Sequence, residues 1–269
     1  MKLQHRLEIY PILFVVWTVL GVATTYTIGA ALNHYPALIP AISHTGEFPP
    51  ENGIFTIVVT ISAFLFLIIC TIRFKQIFDE REDHYLSIRI LNFIGYLVAI
   101  TVVIGMLLVG SFDVSDRETI TVHFIGAFFV YVPGFIYYVI QTIIGPVFKS
   151  LNRWRWVVLM VRIVLLFMGG ILLFLYLFFL FTYRIFVNNS TNIMIPTQMN
   201  ISTTSAAPTT VAYPLFNYAT GSQWFMVASF YALALTLIPE FYMIEMVFTI
   251  RNRKYVTRNS SNSSSPSLQ

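Results

Sequence analysis

The chain has 269 residues, 57% hydrophobic, 16% aromatic and 10% charged, with a formal net charge of +4 and a mean hydropathy of +0.74. Charged residues make up about 25% of an ordinary soluble domain. This composition therefore excludes a soluble globular protein and points to a membrane protein with many spans and short loops. It also means that the basic residues report orientation in a bilayer rather than nucleic-acid binding.

A helix crossing the hydrocarbon needs about 20 mostly apolar residues. Six runs meet that length: Tyr10–Leu32, Ile54–Ile72, Ile90–Gly110, Ile120–Phe148, Val157–Tyr183 and Phe225–Ile250. Each is apolar all round, as helices in lipid are. The expected fold is all-α: a polytopic six-transmembrane-helix bundle within residues 1–255. The first run is longer than the roughly 7–15 residues of a signal-peptide core and no small-residue cleavage site follows, so it reads as a retained span. The 188–212 insert and the 256–269 tail are rich in Asn, Ser, Thr or Pro and read as disordered by composition.

With the N-terminus in the cytosol, every Lys and Arg of the 16 falls on the inner side except Arg117 and Arg184. The positive-inside rule therefore predicts an even number of spans with both termini cytosolic. Arg162 lies inside the fifth run, where its long side chain is expected to snorkel to the inner interface. The acceptor sequons at Asn188, Asn189 and Asn200 then face the lumen or exterior, as N-glycosylation requires. Those at Asn259 and Asn262 face the cytosol and are expected to stay unmodified.

The first outer loop, 33–52, carries Ser43, His44, Thr45, Gly46, Pro49, Pro50 and Glu51 and no Lys or Arg. Pro49 and Pro50 stiffen the chain, Gly46 can supply a positive φ, and Ser43 and Thr45 can cap or close a turn. Glu51 begins the second span, where a carboxylate favours a helix N-terminus. Two readings stand: a rigid turn that seats the second span, or a ligand or ion site built on that turn.

The pattern P-x-L-I-P-A-I-S-H-T-G-x-x-P-P-E-x-x-I-F resembles the first luminal loop of the damage-regulated autophagy modulator (DRAM) family. That family sits in a wider group with the FGF-receptor-activating protein, a GPI-anchor lipid-remodelling factor and a yeast suppressor of phosphoinositide 4-kinase defects. V-G-S-F at Val109–Phe112, V-H-F-I-G-A-F-F at Val122–Phe129 with Tyr138 and Gln141 beyond it, Q-W-F at Gln223–Phe225 and L-I-P-E-F at Leu237–Phe241 extend the likeness over all six spans. His44 stands where the family usually has Asp, and Gln223 where it usually has Glu. A role needing those carboxylates, such as a luminal cation site, is thereby put in question. His44 also brings a group that titrates in an acidic compartment.

Ionisable groups within spans are costly and mark functional candidates. Glu240 and Glu245 fall in the sixth run, with Glu240 about 16 Å from its cytosolic end at about 1.5 Å per residue. Pro239 loosens the helix beside it. Three readings compete: a buried hydrogen-bond network with Asn92 or Gln141, a cavity for a lipid head group or sterol hydroxyl, or a proton or cation path. His123, near Asp113, Asp116 and Glu118, is a candidate for an outer polar cluster. No metal-ligand spacing, nucleophile elbow, phosphate loop or dinucleotide fingerprint occurs, and the lone Cys70 excludes an internal disulfide. No cofactor, metal or catalytic activity is therefore expected.

In the loop FKQIFDEREDHYLSIR, 74–89, the acids before Tyr85–Ile88 resemble a motif for ubiquitin-like autophagosome proteins and a sorting signal; a plain solvated loop is the alternative. Basic clusters at 149–155 and 251–258 suit anionic lipids of the inner leaflet. Val132–Phe135 predicts a kink and Gly169-Gly170 a close helix approach. The family likeness implies a non-enzymatic regulator of autophagy or lysosomal membrane function. Alternatives are a plasma-membrane organiser of sterol or phosphoinositide lipids that recruits a kinase, a GPI-anchor remodelling factor, or a transporter. Expected partners are membrane lipids and an autophagy or kinase protein, without nucleic acid.

Overall fold

A computed structural model describes residues 2–35, 39–79, 86–114, 118–147, 152–189, 209–242 and 245–249. Its long helices are α1 (Ile9–Ala31), α2 (Glu51–Asp79), α3 (Leu86–Ser111), α4 (Ile120–Ile144), α5 (Asn152–Asn189) and α6 (Thr209–Leu235). A short α7 (Ile238–Tyr242) continues α6 after a break, and six segments are long and apolar enough to cross a membrane. Successive helices pack on one another, and α6 returns against α1 to close the bundle. One face carries the 33–52 segment and is called the loop face. The other carries both ends of the described chain.

Those ends are joined. Strand β1 (Lys2–Arg6) pairs antiparallel with β2 (Glu245–Thr249), with Lys2 opposite Thr249 and Arg6 opposite Glu245. The sequence reading missed this ribbon, because 245–249 continues the apolar run of the sixth span. It also placed that span too late. The membrane-length segment is Pro214–Tyr242, so Glu240 lies near its end rather than at mid-membrane, and Glu245 lies on β2 outside the helix.

Close packing follows from small residues and hydroxyls. A Cβ on Gly105 would meet the Gly126 carbonyl oxygen at 2.7 Å, so α3 and α4 touch through glycine backbones as small-residue membrane interfaces do. Helices α1 and α2 are linked by Trp17 Nε1 donating to Val58 O (3.1 Å) and by the Thr18–Ser62 hydroxyl pair (2.7 Å). Thr56 Oγ1 donates to Gly110 O (2.7 Å) between α2 and α3. Phe14, Phe66, Tyr137, Met226 and Phe241 are part of the core. Outward residues such as Phe167 and Phe181 stay apolar, which suits lipid as solvent. Helix α4 is continuous through Pro133, and a Cβ on Gly170 would approach the ring of Phe135 at 3.1 Å.

Candidate functional site

Two polar assemblies stand out, one at each face. At the face of the chain ends, helix α6 stops at Leu235 and α7 begins at Ile238. Pro239 has no N–H, and Glu240 N donates to Leu237 O (3.1 Å) rather than to the carbonyl four residues back. The Thr236 carbonyl is thus released from the helix ladder, and Arg162 Nη2 donates to it (3.0 Å) while Arg162 Nε donates to Thr236 Oγ1 (2.8 Å).

Arg162 also grips the Glu240 carboxylate with both Nη atoms, at 3.0 Å to Oε1 and 2.9 Å to Oε2. From α2, Arg73 Nη1 reaches Glu240 Oε2 at 2.8 Å, and Arg73 Nε donates to Gln141 Oε1 on α4 at 2.9 Å. Gln76 accepts from Arg73 Nη1 (2.9 Å) and donates to the Glu240 carbonyl (3.2 Å). Arg73, Arg162, Gln141 and Glu240 are all buried. The expected snorkelling of Arg162 is therefore corrected: the freed carbonyl and the carboxylate hold its guanidinium inside. Asn92 stands apart, donating to Phe74 O (3.0 Å).

This arrangement is a clamp. Three elements, α2, α5 and α7, meet at one carboxylate whose two oxygens are both engaged by guanidinium groups, Arg162 in the strong bidentate form of ion pair, and α4 joins them through Gln141 on Arg73. The sequence singled out Glu240 and Gln141 but missed Arg73, Gln76 and Thr236. The available signal was two arginines within or beside apolar runs, each of which needs a partner.

At the loop face, residues Ile42–Gly46 form a 3-10 turn carrying Ser43, His44, Thr45 and Gly46. Thr45 Oγ1 donates to Ile42 O (2.7 Å) and pairs with Thr25 Oγ1 of α1 (2.9 Å). Gly46 does not use a positive φ. It is small because Phe55 lies against it: a Cβ there would meet the Phe55 ring at 2.3 Å. Glu51 begins α2 as expected, and it is fully buried against His34 Nδ1. Pro50 is exposed.

Side chains of α6 tie down the same loop. Gln223 Oε1 accepts from Ile42 N (3.1 Å), its Nε2 donates to Tyr131 Oη on α4 (2.8 Å), and Trp224 Nε1 donates to Pro40 O (2.8 Å). His44 stacks on Phe216 with ring centroids 5.6 Å apart. Burial, with the nearby His123 and Arg184 adding to it, pushes the His44 imidazole down to about 4, so it stays neutral over the range in which histidines switch. The titrating group that sequence reading overlooked is Glu47, pushed up to about 7 by burial and then by Asp113. His123 is buried, and its Nδ1 bonds Phe112 O (2.8 Å), so it joins α4 to the end of α3.

Beneath the loop lies an apolar cavity of about 540 Å³ between α1 and α6. Among the described residues no group of three or more His, Cys, Asp or Glu could hold a metal ion. Asn188 and Asn189 end α5, residues Leu86–Ile88 form the start of α3, and the side chain of Glu245 is not described. Asn200, Tyr85, Asp116, both tail sequons and the basic cluster at 251–258 lie outside the described residues.

Residues 6–244 match the family described as Frag1/DRAM/Sfk1/Cwh43P N-terminal domain. The mouse DNA damage-regulated autophagy modulator protein 1 is 31% identical over 145 residues, covering 54% of this chain and 59% of that relative. The rat DNA damage-regulated autophagy modulator protein 2 is 27% identical over 243 residues, covering 90% of this chain and 86% of its own length. Transmembrane protein 150A of Xenopus laevis is 27% identical over 107 residues, 40% of this chain and 37% of the relative. No solved structure matches. With a loop, a fourth span and a sixth span that pack into one assembly and a match over nearly its whole length, the chain belongs to the Frag1/DRAM/Sfk1 family of multi-pass membrane proteins.

Proposed function

We propose that this protein is a non-enzymatic regulator of autophagy acting at the lysosomal membrane, with both chain ends in the cytosol and the loop face towards the lumen. The observation that carries this reading is the match to an autophagy modulator over 90% of the chain. The geometry supports a non-enzymatic role, since the Glu240 carboxylate is spent on Arg73 and Arg162, and His123 on a backbone carbonyl. The cytosolic face then offers the surface for an autophagy protein partner. The experiment is endogenous tagging with loss of function: the tag coincides with lysosomal markers, and turnover of autophagosome cargo changes in the knockout. A tag confined to the cell surface, with cargo turnover unchanged, would overturn the reading.

A further inference from the structure

Helices α1 and α6 touch through two aromatic pairs and part between them. Near the face of the chain ends, Phe14 meets Tyr231 edge-on with centroids 5.7 Å apart; near the loop face, Tyr26 meets Trp224 edge-on at 6.5 Å. Phe14 and Tyr26 stand about 18 Å apart along α1 at about 1.5 Å per residue. The 540 Å³ cavity occupies the gap, within the range of about 300–1,000 Å³ usual for ligand sites. Small residues open it: Ala23 and Ala228 line it, and a Cβ on Gly221 would meet nothing within 4 Å. Its roof is Ile39, Pro40 and Ile42, the segment that Gln223 and Trp224 hold in place.

The lining identifies the occupant. It contains no charged side chain. Of its five polar side chains three are already used, Thr18 Oγ1 on Phe14 O (2.6 Å), Thr27 Oγ1 on Ala23 O (2.7 Å) and Trp224 Nε1 on Pro40 O, and the other two are Tyr26 and Tyr231, which bring one hydroxyl each. A head group, or a ligand needing several hydrogen bonds, would gain little here and lose its solvation. Val19 and Phe225 line the cavity and are also exposed on the outer surface of the bundle, 46% and 68%, so the gap opens sideways between the spans.

We infer that the α1–α6 cavity is a lateral binding site for one acyl chain of a bilayer lipid from the leaflet next to the loop face, capped by the 39–42 segment. The chain enters between Val19 and Phe225, and its head group remains at the interface outside the cap. This site stands independently of the role in autophagy.

The test uses the full-length protein in phosphatidylcholine nanodiscs doped with phosphatidylcholine bearing a diazirine in one acyl chain. Photolabelled peptides are mapped by mass spectrometry. Labelling is expected to concentrate on 18–28 and 221–231 above the level on Phe167 and Phe174, which face lipid on α5. Gly221→Phe fills the gap and abolishes the excess, whereas Gly221→Ala retains it; Ala228→Leu gives a second filled variant if Gly221→Phe melts early. Even labelling of all lipid-facing helices, unchanged by either filled variant, would mean annular lipid only and overturn the site. Excess labelling by a photoreactive sterol but not by the acyl probe would overturn the assignment of its occupant.

Discussion

Arg162 and Glu240 face one another across the α5–α7 contact with two parallel N–H···O bonds, 3.0 and 2.9 Å long, in a setting closed to solvent. A buried pair gains little over a well-packed apolar replacement, but removing one partner leaves an uncompensated charge, which costs about 3–5 kcal/mol. Glu240→Gln is therefore expected to lower the unfolding midpoint sharply in detergent or nanodiscs, since it strands Arg73 and Arg162 together. Arg162→Met with Glu240→Gln is expected to do less harm than the sum of the two single changes. An additive double mutant would show that the two residues do not act as a pair.

Much of this architecture is legible in the amino-acid sequence. Six apolar runs gave six spans, because apolar length is read directly from residue type. The ends were less legible: 245–249 is apolar enough to prolong a helix, and its pairing with 2–6 depends on residues far away in the chain. Gly46 shows another limit. Its residue type suggested a torsional role, whereas its small size answers Phe55, a contact that no spacing rule reveals. Arg73 was counted as an orientation marker because a basic residue near a span end ordinarily is one.

Gln223 occupies a position where the resemblance led us to expect a carboxylate, and its geometry explains why an amide serves. It accepts from Ile42 N and donates to Tyr131 Oη. A carboxylate accepts from both, with the tyrosine hydroxyl turning to donate. Gln223→Glu is expected to preserve the loop. Gln223→Leu strands both partners, at about 1–3 kcal/mol for each. Protease susceptibility of the 33–52 segment in purified protein reads the difference; equal cleavage of both variants would contradict it.

Gly46→Ala brings a methyl group onto the Phe55 ring, where the turn and α2 leave no room. Overpacking of this kind costs about 1–3 kcal/mol. Pairing the change with Phe55→Leu is expected to recover most of the loss of thermal stability. A single Gly46→Ala variant that melts like the wild type would show that the contact yields freely.

If the loop face is luminal, glycans sit on Asn188, Asn189 or Asn200 and none on the tail. Endoglycosidase treatment is expected to shift the protein from cells, and the triple Asn→Gln variant is expected to show no shift. A shift that survives the triple variant and disappears once Asn259 and Asn262 are both changed to Gln would reverse the orientation.

His44 and Glu47 lie three residues apart and carry opposite pH dependences. His44 is lowered from 6.5 to about 4, so its contribution to stability is full above pH 6.5 and is lost as pH falls towards 4. Glu47 is raised from 4.5 to about 7, so it favours the folded state most below pH 4.5, and that advantage fades as pH rises to 7. Between pH 4.5 and 6.5 the two slopes oppose, and the wild-type melting temperature is expected to be nearly flat. Removing one exposes the other. His44→Phe keeps the stacking on Phe216 and is expected to make stability fall as pH rises from 4.5 to 7. Glu47→Gln is expected to make it rise from pH 4 to 6.5. Thermal melts of the three proteins across this range are the measurement. Parallel profiles would show that neither group carries the linkage, and the loop would then answer to acidity through another residue or not at all.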